Sequence, residues 1–282
     1  MAVLRNKISI FSQTYLSKIY NILYNIREWW RIKRGDVFPY KFKKERYPGL
    51  FLQHDYLPLP NIPSKIERVI YCHWTGDNEM SENRKKGYQS LVENSGVKVV
   101  LITPKNLHEF ILDEYPLHPA YELLSLNHKS DYLRCYFAQF YGGGYCDIKP
   151  MKNSWIDSFN LLEEKDGWFL SYTQIKQHSV SKGQGIIDKD LKYYFKKCTG
   201  TGAFINKSNT QFTVEWWMEL NRRLDENFEL LEANPGIGLG KNKGYPLSLL
   251  SVSTQIMVPL NLKFLNKIIH DNRVLPELKN YQ

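Results

Sequence analysis

The sequence predicts an α/β protein in which helices cover a sheet, because segments typical of strands and of helices alternate along the chain. Residues 67–74 and 97–103 are short runs of mainly β-branched and apolar residues, which favour buried strands. Residues 81–94, between these runs, are predicted to form a helix with Ser81 as its N-cap. These three segments therefore predict the first two strands of the sheet and the helix that connects them.

The remaining helices and strands are predicted from weaker sequence signals, but they continue the alternation of strand and helix. Three glycines, residues 142–144, are predicted to end a long helix, since glycine commonly terminates helices. In chain order we expect helices over 104–114, 119–141 and 210–230, and strands over 145–148, 168–172 and 203–206.

Composition places the 282-residue chain among ordinary globular proteins, with 43% hydrophobic and 24% charged residues. The four cysteines form no C-x-x-C pair, which disfavours a zinc site. Free thiols and the absence of a signal-like apolar segment fit a reducing, cytoplasmic setting. No run of about 18 apolar residues is present, so no membrane-spanning helix is expected.

Most of the net charge of +9 lies in residues 1–47, which hold eleven basic and three acidic residues and thus carry +8. A nucleic-acid-binding enzyme would more often spread basic residues over its working domain. Nucleic acid is therefore not an expected partner.

Residues 7–30 have apolar side chains at helical spacing, followed by Trp29, Trp30 and a basic cluster over 31–34. Such a pattern is typical of an amphipathic helix lying on a membrane surface. A helix packed on the catalytic domain is an equal alternative. We predict a basic membrane-proximal or packing segment over 1–47, a proline-rich connector over 48–64, and a catalytic domain over 65–282.

The stretch 130–150, SDYLRCYFAQFYGGGYCDIKP, carries the strongest chemical signal. Asp131 and Arg134 are three residues apart on a predicted helix and therefore share one face. Asp147 follows a predicted strand, and open α/β sheets bind ligands beyond the carboxyl ends of their strands. Each residue alone would more often be structural, as a surface ion pair or a turn residue. Their combination at this spacing favours a site for a metal and a diphosphate.

The run SDYLR-x7-GGGYCD resembles the motif SD-x-x-R…GG-x-Y-x-D-x-D of glycosyltransferase family 32 and of the large clostridial glucosylating toxins. It is also similar to bacterial capsular polysaccharide synthesis proteins. The resemblance covers residues 66–150 well and 198–250 weakly. It implies a GT-A fold, which is a Rossmann-like domain for nucleotide-diphospho-sugars, here with an N-terminal amphipathic helical extension.

The resemblance implies catalytic roles for Asp131, Arg134 and Asp147, and the charge of Lys149, two residues after Asp147, makes it the fourth candidate catalytic residue. Trp74 would stack on the uracil of a UDP-sugar, Asp131 would bind sugar or ribose hydroxyls, and Arg134 would contact the sugar or its diphosphate. The full set implied to bind the nucleotide-sugar is Trp74, Gly76, Asp131, Arg134, Gly143, Tyr145, Asp147, Thr201 and Gly202.

The sequence departs from the resembled motif at Lys149, which occupies the position of the second aspartate. Either a metal is held by fewer protein ligands, or the lysine supplies part of the charge that faces the diphosphate. We expect Mn2+ or Mg2+ as cofactor, with Asp147 and His270 as candidate ligands. The segment 236–248 is expected to form a lid that brings Lys241 and Lys243 near phosphates.

The expected function is transfer of a hexose, from a UDP-sugar and with retention, to a carbohydrate acceptor in bacterial capsule or O-antigen lipopolysaccharide synthesis. The basic segment suggests a lipid-linked acceptor and a location on the cytoplasmic face of the inner membrane. The alternative is a non-catalytic protein that binds nucleotide-sugars or carbohydrates and derives from such an enzyme.

Overall fold

A computed structural model describes residues 16–27, 29–30, 33, 35, 37–175, 180, 185–240 and 242–278, which belong to two compact units, 1–41 and 42–282. In the first unit, residues 16–27 and 29–30 are helical. The rest of the predicted helix over 7–30 lies outside the described residues, and its amphipathic role stays a prediction. No helix among the described residues is long and apolar enough to cross a membrane.

The second unit is built on a six-stranded sheet with the order β2-β1-β3-β5-β4-β6. Its strands are β1 (Val69–His73), β2 (Lys98–Ile102), β3 (Gly143–Cys146), β4 (Phe169–Thr173), β5 (Thr199–Asn206) and β6 (Ile268–His270). Strand β1 runs parallel to both β2 and β3, and β4 runs parallel to β6. Strand β5 alone among these is antiparallel to its neighbours. The predicted α/β class is confirmed.

Seven α-helices accompany the sheet in the described part of this unit. They are α1 (Glu82–Asn94), α2 (Leu126–Phe140), α3 (Ile156–Glu164), α4 (Ile186–Tyr193), α5 (Gln211–Glu226), α6 (Phe228–Ala233) and α7 (Thr254–Lys263). Ser81 caps α1 as predicted, since its side chain accepts a hydrogen bond from the backbone of Arg84 at 3.3 Å.

Several predicted boundaries were wrong. The predicted helix over 119–141 is a 3-10 helix, Pro119–Leu123, followed by α2. The break occurs because Ser125 adopts an extended backbone and caps α2 through its side chain. The predicted helix over 104–114 is reduced to a 3-10 turn, Leu107–Phe110. Helices α3, α4 and α7 and strand β6 were not predicted.

The glycines after α2 serve the packing of the chain. Gly142 makes the turn, with φ of +70°, but Gly143 and Gly144 already belong to β3, two residues earlier than predicted. A Cβ atom on Gly143 would lie 2.6 Å from the carbonyl oxygen of Glu67, so only glycine permits this approach to the segment that leads into β1.

Residues 42–64 pack onto the rest of the second unit. Tyr47 and Leu52 are fully buried, and the Tyr47 hydroxyl donates a hydrogen bond to Asp190 at 2.6 Å. The Asn209 amide donates to the backbone carbonyls of Leu59 and Ile62 at 2.8 and 2.6 Å. The proline-rich stretch is thus held by specific contacts although it contains no long regular element.

Candidate functional site

A cavity of about 890 Å³ opens beyond the carboxyl ends of β1 and β3. The chain passes from β1 to β2 on one side and reaches β3 on the other side of β1, so this is the point where strand order reverses. Such a crevice is the usual ligand site of an open α/β sheet. Of the residues expected to act in catalysis or binding, those that line the cavity are Trp74, Gly76, Asp131, Arg134, Tyr145, Asp147, Lys149 and Thr201.

Asp147 stands directly after β3, with its side chain about one quarter exposed. One carboxylate oxygen accepts hydrogen bonds from the Tyr145 hydroxyl at 2.7 Å and from Arg134 at 3.2 Å. The other accepts from the Lys149 ammonium group at 2.8 Å. Burial alone would raise the pKa of Asp147, but the two cations hold it below its ordinary value. Asp147 is therefore ionised at neutral pH.

Asp131 and Arg134 lie on the cavity face of α2 and are both buried, at 7% and 9% exposure. The sequence left open a surface ion pair, and this burial rules that out. Their charged groups approach to 3.4 Å, while Arg134 also donates to Tyr145 and lies over its ring. Burial raises the pKa of Asp131, against the opposing effect of Arg134. Helix α2 thus places one cation between two carboxylates.

Arg84 lines the same cavity and was missed by the sequence analysis. It lies in the first turn of α1 and donates a hydrogen bond to the backbone carbonyl of Ile148 at 2.6 Å. A cation in the first turn of a helix opposes the helix dipole. That local conflict is a signal that could have marked Arg84, because proteins tend to break local rules at functional sites.

Two histidines border the cavity in neutral form. Burial, and next the charge of Arg134, lowers the pKa of His73 to about 3. Burial also lowers the pKa of His128, whose ring contacts the Tyr245 hydroxyl at 2.8 Å and the Ser248 carbonyl oxygen at 3.1 Å. Neither ring adds positive charge to the cavity at neutral pH.

The aromatic and glycine positions divide into two groups. Trp74 lines the cavity and donates through its indole nitrogen to the carbonyl of Asn78 at 2.7 Å. Gly76 also lines it, and a Cβ there would lie 2.5 Å from the Asn78 side chain. Gly202 does not line the cavity but packs against Asp147, because a Cβ atom added to Gly202 would lie 2.9 Å from an Asp147 carboxylate oxygen. Gly143 packs near β1 and is not a lining residue.

The segment predicted as a lid borders the cavity through Leu239 and Gly240. Lys241 lies outside the described residues, and Lys243 is not among the lining residues. Gly236 packs on the start of α2, where a Cβ atom would collide with the backbone nitrogen of Ser125. Closure of this segment over a donor stays a prediction.

The proposed metal ligands do not come together. His270 ends β6 and lines a separate pocket of about 440 Å³, whereas Asp147 lines the large cavity. Among the described residues, no group of three or more His, Cys, Asp or Glu side chains could hold a metal ion. In addition, both Asp147 oxygens are already paired with cations. The described residues of the cavity therefore provide no ligand set made of protein side chains alone for a divalent cation.

Comparison with known proteins adds no assignment. No protein-family model matches the chain, and no curated protein is significantly similar to it in sequence. The function is therefore inferred from the cavity and its side chains.

Proposed function

We propose that this chain is a glycosyltransferase that moves a hexose from a UDP-sugar to a carbohydrate acceptor, with retention of configuration. The main support is the position of Asp147, an ionised carboxylate at a strand end, inside a large cavity and in contact with two cations. Such an arrangement can bind a nucleotide diphosphate and a sugar side by side.

The division of labour within the cavity follows from chemistry. Trp74 offers a ring for the base, Asp131 offers acceptors for sugar hydroxyls, and the cations face the diphosphate. The leaving group is stabilised by charge that is fixed before reaction, which is the most effective form of electrostatic catalysis. With retention, no separate strong base is required.

The finer assignments rest on the sequence resemblance. We propose a GT-A fold, a role in bacterial capsule or O-antigen lipopolysaccharide synthesis, and action at the cytoplasmic face of the inner membrane. Support for membrane contact comes from the exposed apolar side chains in the first unit, among them Leu16, Ile22, Leu23, Trp29 and Trp30. A lipid-linked acceptor would fit that location.

The test is thermal stabilisation by UDP and a panel of UDP-sugars, followed by a transfer or hydrolysis assay. We expect Asp147→Ala to abolish most of the ligand-induced shift and to reduce turnover by about 100-fold or more. The matched control is Asp166→Ala, because Asp166 is an exposed carboxylate that pairs only with a surface lysine in the described contacts. An equal loss in both variants would contradict the proposal.

A second candidate, a non-catalytic binder, is favoured by one observation: Lys149 replaces the second aspartate and occupies one Asp147 oxygen. Its signature would be UDP-sugar binding at the cavity without transfer or hydrolysis. Detectable turnover that depends on Asp147 would eliminate it.

A further inference from the structure

The charges of the cavity differ from those of a metal site. Its described lining holds three cations, Arg84, Arg134 and Lys149, and two carboxylates, Asp131 and Asp147, so three minus two leaves +1 with both histidines neutral. A divalent cation would enter against that charge, whereas a diphosphate would be attracted by it. The sign of the cavity favours direct binding of the anion.

The space around Asp147 leads to the same conclusion. The Oδ2 atom of Asp147 accepts a hydrogen bond from the Lys149 ammonium group. Gly202 lies on the other side, and a Cβ atom added to Gly202 would lie 2.9 Å from Oδ2. The Oδ1 atom of Asp147 is held by Tyr145 and Arg134. A metal that bound Asp147 would come close to two cations, Arg134 and Lys149, that already contact this carboxylate. Mg2+ also demands near-ideal octahedral geometry.

The backbone holds two of the cations beside each other. Helix α1 packs directly on the segment after β3, because a Cβ on Gly87 would lie 3.1 Å from the backbone carbon of Lys149. One turn earlier, Arg84 donates to the carbonyl of Ile148. Arg84 and Lys149 are therefore fixed at the same margin of the cavity, next to the carboxylate that marks the diphosphate position.

We infer that Lys149 and Arg84 bind the diphosphate of the donor directly and do the work of a divalent metal, so that the donor binds without one. This inference rests on the proposed function. In the transfer step, the bond between the sugar C1 and the β-phosphate oxygen breaks, and its electron pair stays on the departing UDP. A new bond forms between C1 and the acceptor oxygen, whose proton passes to the departing phosphate oxygen. Lys149 and Arg84 stabilise the negative charge that UDP gains.

The experiment measures UDP affinity of the full chain by calorimetry, in EDTA and in Mn2+. For the wild type we expect the same dissociation constant, within about threefold, under both conditions. Lys149→Asp restores the Asp-x-Asp pair. We expect this variant to lose at least about tenfold affinity in EDTA and to recover most of it in Mn2+. Arg84→Met should lose about tenfold under both conditions.

Two further variants keep the test decisive. Lys149→Gln should lose affinity in EDTA and gain nothing from Mn2+, and it carries the test if the aspartate variant does not fold. Lys152→Gln, at a nearby lysine whose side chain is 78% exposed, should behave as the wild type. Wild-type binding that requires Mn2+ would overturn the inference while leaving the proposed function standing. Absence of UDP binding under both conditions would overturn the proposed function itself, and this inference with it.

Discussion

Two clusters of charged side chains lie in the second unit, and they differ in what surrounds them. Asp147, Arg134 and Lys149 line a cavity of about 890 Å³ at the strand ends. Glu215 and Lys263, on α5 and α7, approach to 2.8 Å with side chains only 2% and 4% exposed, and neither lines that cavity. Lys263 also reaches Asp55 at 3.1 Å and thereby fastens the residue 42–64 segment.

The contrast shows that buried ion pairs alone do not indicate a functional site. The Glu215 cluster holds three segments of chain together, whereas the Asp147 cluster lines a cavity that a ligand can enter. The Asp147 cluster is distinguished from the Glu215 cluster by its position at the carboxyl ends of β1 and β3 and by the cavity that it lines. Variants of the two clusters should therefore affect different quantities.

The largest expected effect is on stability. Lys263→Met leaves the buried Glu215 without its paired cation, whereas Asp55 keeps its ion pair with Lys44. Removal of one member of a buried pair typically costs about 3–5 kcal/mol. The free energy of unfolding, measured with urea, should fall by about that amount, while UDP affinity of the folded protein stays unchanged. Lys267→Met, at an ion pair with the exposed Asp166, should cost less than about 1 kcal/mol. A loss of UDP affinity in the Lys263 variant would remove the distinction between the clusters.

An intermediate effect is expected at Gly202. An alanine there would push against the Asp147 carboxylate, so we expect Gly202→Ala to weaken UDP binding by about tenfold, measured by calorimetry. Stability should change by about 1 kcal/mol. Gly49→Ala serves as control, since Gly49 has a positive φ but open space around its Cβ, and should cost similar stability with no change in binding. Equal UDP affinities in the two variants would show that Asp147 can shift without consequence.

The narrowest expected effect, confined to one range of pH, belongs to the structural cluster. Burial, against the opposing effect of Lys263, raises the pKa of Glu215 from 4.5 to about 7. Between these values the folded protein keeps a proton that the unfolded chain loses, so stability falls as pH rises through this window. Glu215→Gln should flatten that part of the profile of unfolding free energy against pH. If the variant and the wild type gave identical profiles, groups other than Glu215 would cause the pH dependence.

Local sequence was sufficient for part of the fold and of the site. The β-branched runs predicted β1 and β2, and Ser81 marked the start of α1, because these signals act within a few residues. The spacing of Asp131 and Arg134 placed both on one helix face, and the structure brings them together with Asp147 at one cavity. This grouping could be predicted because all three residues lie in one short segment of the chain, residues 130–150.

The tertiary structure decided what depends on contacts between distant segments. It split the predicted 119–141 helix at Ser125, placed Gly143 against the residues before β1, and put His270 in a different pocket from Asp147. The packing of α1 also brought Arg84 to the carbonyl of Ile148, next to Lys149, and this depends on contacts between segments that are distant in the chain. The physical reason is that periodicity and capping report on neighbours along the chain, while the order of strands in the sheet determines which side chains share a cavity.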